Sequence, residues 1–419
     1  MSAKPTQPET NSPRPAARPP QQPNRRTGEQ GEHARYYARV AARYRLAKYL
    51  TLFVLILVLL AGIIMGSDSI TYANFVYLLR DFDTVLDVVG GEDALTLRYS
   101  TMEDRQYLAY RDGLTLVSRS GIEIYNAGGK RTLEATPDYA DPYAVASDRY
   151  LLVCDLGGES YTLYNSLSDV FSETLGYPIH GAAISDSGHY ALITETREYT
   201  SAVLLYNKNC KLINRYLKDK YVIDAAISDD GERIAIVSVS SVDGAYMAEF
   251  QLCEPGKDTA IATLQVQNVF PLAVRFFDDN SFAVLGDSAM YFYTDRGELI
   301  NTVSFADVPP DRFVLDGDRA VLVFPGNVMA TESRVCVYDS RGETVLDHAL
   351  EGNAQILTLT EQAAYVMTER EIFRLSDRGE VSSLVHNGGA KALLTLGDDV
   401  LLCTASAAYR YSDEQFTES

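Results

Sequence analysis

The sequence predicts an all-β protein, an eight-bladed β-propeller with seven blades as the alternative, preceded by one transmembrane α-helix and a short amphipathic helix. Three observations carry this reading. Nineteen uncharged residues run from Tyr49 to Ser67, turn motifs recur at a mean spacing near 41 residues, and an unmatched strand-like stretch at residues 94–100 precedes the first full unit. A period of about 40 residues is the length of one four-stranded blade. At 419 residues, 46% hydrophobic and 22% charged, the chain is too long for one small core and too apolar to stay unfolded.

Residues 1–33 read as a disordered, basic, cytoplasmic tail, because seven of the 15 prolines fall here among Gln, Asn, Ser and Thr and few apolar side chains offset the ordering entropy. Residues 34–48 form a basic juxtamembrane segment in which Arg35, Arg39 and Arg43 repeat every fourth position, so a helix would align them on one face. Residues 49–67 are the transmembrane helix. At 1.5 Å per residue they span about 28 Å, close to a hydrocarbon core. A start at position 49 and the absence of a small-residue cleavage site argue against a cleaved signal. Residues 1–48 carry ten Lys/Arg against three Asp/Glu, and residues 49–419 carry 27 against 54, so the positive-inside rule keeps the N-terminus in the cytoplasm and places the C-terminal domain outside. Residues 68–93 are a linker in which Tyr72, Phe75, Val76 and Leu79 follow helical spacing, an amphipathic helix that docks on the following domain or lies on the membrane.

Residues 94–413 are the propeller. Successive units end a strand and enter a turn at Tyr125, Tyr164, Tyr206, Cys253, Tyr293, Tyr338, Leu375 and Tyr411, at intervals of 36 to 47 residues. Asp-Gly-type turns such as Asp186-Ser-Gly188 and Asp229-Asp-Gly231 separate the first two strands of a unit, since Asp and Gly tolerate tight-turn backbone. Unit one starts near Asp104 and ends near Asp138. The eighth unit has too little chain for a fourth strand before residues 414–419, which read as a tail, so residues 94–100 complete it and close the ring.

In layout the chain resembles an uncharacterised family of bacterial membrane-anchored proteins. The features are the basic Pro-rich tail, the single anchor, the linker Asn-Phe-Val-Tyr-Leu-Leu-Arg-Asp at residues 74–81 and the Tyr-Asp-x-x-Gly turns of a propeller-like domain. The resemblance implies an envelope location of Gram-positive type and supplies no catalytic residues.

No motif names a reaction. His33, His180, His189, His348 and His386 have no metal-ligand spacing, and His180, at a strand start, faces the channel or the surface. Cys154, Cys336 and Cys403 sit in apolar strands as small hydrophobes and no essential bridge is expected, Cys210 with Cys253 being the one pair between neighbouring units to check. The turns at Asp186, Asp229–Asp230 and Asp278–Asp279 are too short for calcium loops, and those at Asp295, Ser340–Glu343 and Asp377 are equivalent hairpins of the repeat. With no Trp, the tryptophan-docked quinone propellers and Trp-Asp scaffolds are excluded. No cofactor, metal or catalytic residue is expected, and the acidic domain repels nucleic acid. Besides the membrane, the expected partners are an envelope protein or a neutral glycan, bound by a non-enzymatic module. The alternatives are an extracytoplasmic lyase or hydrolase with a channel-centred site, and a single-pass sensor.

Overall fold

The computed structural model describes residues 48–54, 56, 96–101, 104–257, 259–305, 308–326, 331–386, 388–397, 399–412 and 415–418. Residues 1–71 and 72–419 are two separate units. In the first, residues 48–54 and 56 are helical, and among the described residues no helix is long and apolar enough to cross a membrane. The disordered tail and most of the expected span, and in the second unit the amphipathic linker helix, lie outside the described residues.

Described residues of the second unit form eight sheets, each a blade of four antiparallel strands joined in chain order, except that the seventh gains a fifth strand and the eighth takes one strand from the N-terminal end. Blade 1 begins at Gln106–Tyr110, blade 2 at Pro142–Ala146, blade 3 at Ile179–Ile184 and blade 4 at Tyr221–Ile227. Blades 5 to 8 begin at Pro271–Phe276, Arg312–Asp316, Ile356–Leu359 and Ala390–Leu396. These first strands neighbour one another around the ring and line the central channel. The second strands are covered on both faces: Gly113–Ser118, Tyr190–Thr194, Phe282–Gly286 and Ala363–Met367 are buried throughout. This accounts for their near-continuous apolar runs. The outermost strands alternate, as in Ala260–Gln267, because only one face meets the next blade.

The core is correspondingly divided into layers between blades, one hydrophobic cluster for each of the eight interfaces. Closure is as the sequence predicts. Thr96–Arg98 pairs with Ala407–Tyr411, with Thr96 opposite Tyr409 and Arg98 opposite Ala407. The Tyr99 hydroxyl then donates to the carbonyls of Thr404 (2.8 Å) and Ala407 (2.9 Å). Its ring joins Leu114, Leu116 and Tyr125 of blade 1 with Leu401 and Cys403 of blade 8. Both ends of the chain thus contribute to one interface.

Turn chemistry is repeated at the outer hairpins. In blades 1 to 6 the register shifts by one residue where the third strand ends, at Tyr125, Tyr164, Tyr206, Cys253, Tyr293 and Tyr338. The turns at Asp295, Arg341 and Asp377 are equivalent, each closed by a glycine at positive φ (Gly297, Gly342, Gly379). In blade 3 the same position is Cys210, at φ 59°. One sequence expectation changes, and two open alternatives close. The expected tail at residues 414–419 instead returns to the ring: Thr417–Glu418 adds a fifth strand to blade 7, and Phe416 packs edge-on against Tyr365 at 5.5 Å. Cys210 and Cys253 form no bridge, both being free thiols in the apolar layers of different interfaces. His180 does not line the channel; its Nε2 lies 3.6 Å from the Glu195 carboxylate at the surface.

Candidate functional site: an acid-rimmed channel mouth

Small side chains, among them Ala144, Ala182, Ala183, Ala225 and Ala226, border a channel cavity of about 380 Å³. Side chains tie its wall together where neighbouring blades share no backbone ladder. The Gln106 amide donates to the Ala144 carbonyl (2.8 Å) and accepts from the Ala144 N–H (2.9 Å), joining blades 1 and 2. Asp224 on blade 4 accepts from the Val274 N–H (3.0 Å) and from Arg275 (2.8 Å) on blade 5.

One end of this channel carries every turn between a first and a second strand, and these turns are acidic. Asp112, Asp148, Asp186, Asp229, Asp278, Asp316, Asp318 and Glu361 come from blades 1 to 7. The turns brace one another: the Asp148 N–H donates to the Asp186 carboxylate (2.9 Å), the Ser187 N–H to the Asp229 carbonyl (3.0 Å), and the Asp278 N–H to the Gly317 carbonyl (3.0 Å). Buried Arg319 ties three more groups, donating to Asp318 (3.1 Å), Asp377 (2.5 Å) and the Glu361 carbonyl. The rim is therefore positioned before any partner arrives.

Asp186, Asp229, Asp278 and Asp316 have no cation within ion-pair distance among the described residues. Their mutual repulsion shows in their ionisation. Burial and then the charges of Asp186, Asp278 and Asp316 push Asp229 up to about 6. Burial likewise raises Asp278 and Asp316, and the Asp186 charge raises Asp148. By contrast Asp230 and Asp279 are held low, despite burial, by hydrogen bonds from Ser228 and Ser281 inside their own turns. Adjacent acids in one turn thus divide into a structural residue and a rim residue.

A carboxyl whose folded-state pKa is raised destabilises the fold when ionised, so this cost is present above the folded value and is relieved as pH falls toward the unfolded value. Asp229→Asn should therefore raise the melting temperature at pH 7.5, with the gain shrinking through pH 6 and vanishing below about pH 4. Scanning calorimetry of wild type and variant across that range reads the effect; a gain independent of pH would mean that rim repulsion is not its source.

Among the described residues no group of three or more His, Cys, Asp or Glu is arranged to hold a metal ion. Nor does a His or Tyr side chain hydrogen-bond to Asp186, Asp229, Asp278 or Asp316 among the described residues. The rim is a field of unpaired charge. Sequence reasoning found the turns at Asp186, Asp229 and Asp278 and gave them turn chemistry alone. It missed Asp148, Asp316 and Glu361, whose signal was an acid just beyond each first strand at the blade period.

The fold and the rim define the class: a closed eight-bladed propeller with an acidic channel mouth. The chain belongs to a family of unknown function, DUF5711, whose model matches residues 94–384 and so covers seven blades and the closing strand. No curated protein sequence matches it. Among solved structures 738 chains match, so the ring is a widely shared scaffold and any function must be argued from the site. One of them is Kuenenia stuttgartiensis hydrazine synthase, at 11% identity and a TM-score of 0.46, covering 66% of this chain and 97% of that one.

Proposed function

We propose that this protein is a membrane-anchored, extracytoplasmic binding module of the bacterial cell envelope, non-enzymatic, whose acid-rimmed channel mouth receives a Lys/Arg-rich segment of an envelope protein. The observation that carries the reading is the braced ring of unpaired carboxylates with Asp229 held near pH 6. Fixed charge of one sign around a low-dielectric funnel focuses potential and selects the opposite charge. Several separated carboxylates without chelating geometry suit a chain of side-chain cations better than a single ion. Anchoring is supported by the run of uncharged residues 49–67, by the basic excess before it, and by the helical residues Tyr49, Leu50, Leu52, Phe53, Val54 and Ile56, all exposed apolar groups that call for an apolar surrounding.

Two experiments test the parts separately. In intact protoplasts, added protease should digest the propeller and spare an N-terminal tag; protection of the propeller would overturn the topology. For the mouth, a photo-reactive residue replacing Glu361 on the rim should crosslink the partner in membranes, while one replacing exposed Ser241, at the opposite end of blade 4, should not. Equal capture from both ends would remove the mouth as the binding surface.

A further inference from the structure

A second feature, independent of the rim, lies on the outer flank between blades 2 and 3. A cleft of about 540 Å³ opens there, its walls including Phe171, Tyr177, Tyr199, Tyr206, Leu212 and Leu217. Leu212 and Leu217 are 37% and 43% exposed, an apolar platform left open to solvent. Its floor is a hydroxyl network. Tyr161, fully buried, donates to Glu173 (2.8 Å), Tyr206 reaches the same carboxylate (3.5 Å), and Tyr190 stacks on Tyr206 at 4.8 Å. The tyrosine hydroxyls thereby fix the Glu173 carboxylate, which keeps further acceptor capacity. Arg215 and Arg197 also border the cleft, and neither has a carboxylate within ion-pair distance among the described residues. A second flank cleft differs. At blades 5 and 6 a cavity of about 740 Å³ contains Arg334 and Asp347, but these satisfy each other at 2.8 Å and 2.5 Å.

Local backbone points to the same place. Cys210 occupies the left-handed position that is glycine in the equivalent hairpins (Gly129, Gly297, Gly342, Gly379), and it lines the cleft. A cysteine there carries backbone strain that glycine would not. Although the domain has twice as many acids as bases, the cleft brings guanidinium groups together with carboxylates. That mixture disfavours a simple cation or anion. It fits a neutral molecule with hydroxyls that both donate and accept, and with an apolar face to lie on the rings.

We propose that the cleft between blades 2 and 3 is a binding site for a short neutral saccharide, whose ring lies on the aromatic and leucine wall while its hydroxyls donate to Glu173 and accept from Arg215. The test uses the full chain in a detergent without a sugar headgroup. Saturation-transfer NMR and calorimetric titration are run with cellobiose, maltose and N,N′-diacetylchitobiose, with choline as the cationic control. At least one saccharide should bind with saturable heat. Arg215→Ala, at an exposed position that leaves the core untouched, should weaken it at least tenfold, as should Glu173→Gln. Rim variants at Asp186 and Asp229 should leave it unchanged, which separates this site from the mouth. Binding of none of the three sugars, binding indifferent to both cleft variants, or preference for choline would each overturn the proposal.

Discussion

A chain lacking residues 68–101 loses its eighth blade as an ordered unit, although that blade's other strands lie some 300 residues further on. The deletion removes the edge strand Thr96–Arg98 and with it the ladder to Ala407–Tyr411. It also removes Tyr99, 8% exposed, which closes the interface between blades 8 and 1. Truncating a buried aromatic costs roughly 3–5 kcal/mol, and the one hydroxyl proton shared between the Thr404 and Ala407 carbonyls adds about 1 kcal/mol. Such a loss is a large part of the 5–15 kcal/mol that typically separates folded from unfolded domains. Amide exchange should therefore lose protection first at Ala407–Tyr411 and Gly121–Tyr125, on either side of the open seam, and the melting temperature should fall. Tyr99→Phe isolates the hydroxyl and should cost only about 1–2 kcal/mol. Exchange unchanged at both strands would mean that the ring is closed by something other than this strand.

Tyr161→Ala should destabilise the ring by a similar 3–5 kcal/mol, from an interface two blades away. Tyr161 is fully buried at the interface of blades 2 and 3, with ring centroids 6.1 Å from Phe171, 5.8 Å from Tyr190 and 6.0 Å from Tyr206. Alanine leaves a ring-sized cavity and strips Glu173 of its closest donor. The effect should appear as a lower urea midpoint and as faster exchange in Tyr190–Thr194 and Ser201–Tyr206. Tyr161→Phe preserves packing and should recover most of the loss while still weakening the saccharide site. If alanine and phenylalanine were equally damaging, the hydroxyl network rather than the packed ring would hold this interface.

What the sequence makes legible is what a single blade specifies. Doubly buried second strands read as unbroken apolar runs, tight turns read as Asp-Gly and Tyr-x-x-x-Gly, and the surplus strand at residues 94–100 implied its own destination because an open blade edge is unfavourable. Contacts between blades were not legible. Tyr161 meets Tyr190 and Tyr206 across an interface whose pairing depends on the ring geometry, and nothing local distinguishes them from the other 25 tyrosines. The rim failed to appear for the same reason: Asp148, Asp186, Asp229, Asp278 and Asp316 are each ordinary turn residues, and only closing the ring turns them toward one mouth. Phe416 was missed because a short terminal segment shows too little periodicity to reveal a fifth strand.

Fixed negative charge at the mouth should make cationic binding there depend on salt and on the rim carboxylates. The most direct measurement is the affinity of a fluorescent lysine-rich peptide for the full chain, taken from 50 to 300 mM salt, beside a variant carrying Asp186→Asn, Asp229→Asn and Asp278→Asn together. Binding should be saturable, weaken steeply as salt screens the rim and fall at least tenfold in the variant at low salt. Binding that is insensitive to salt, or equal in the variant, would contradict it.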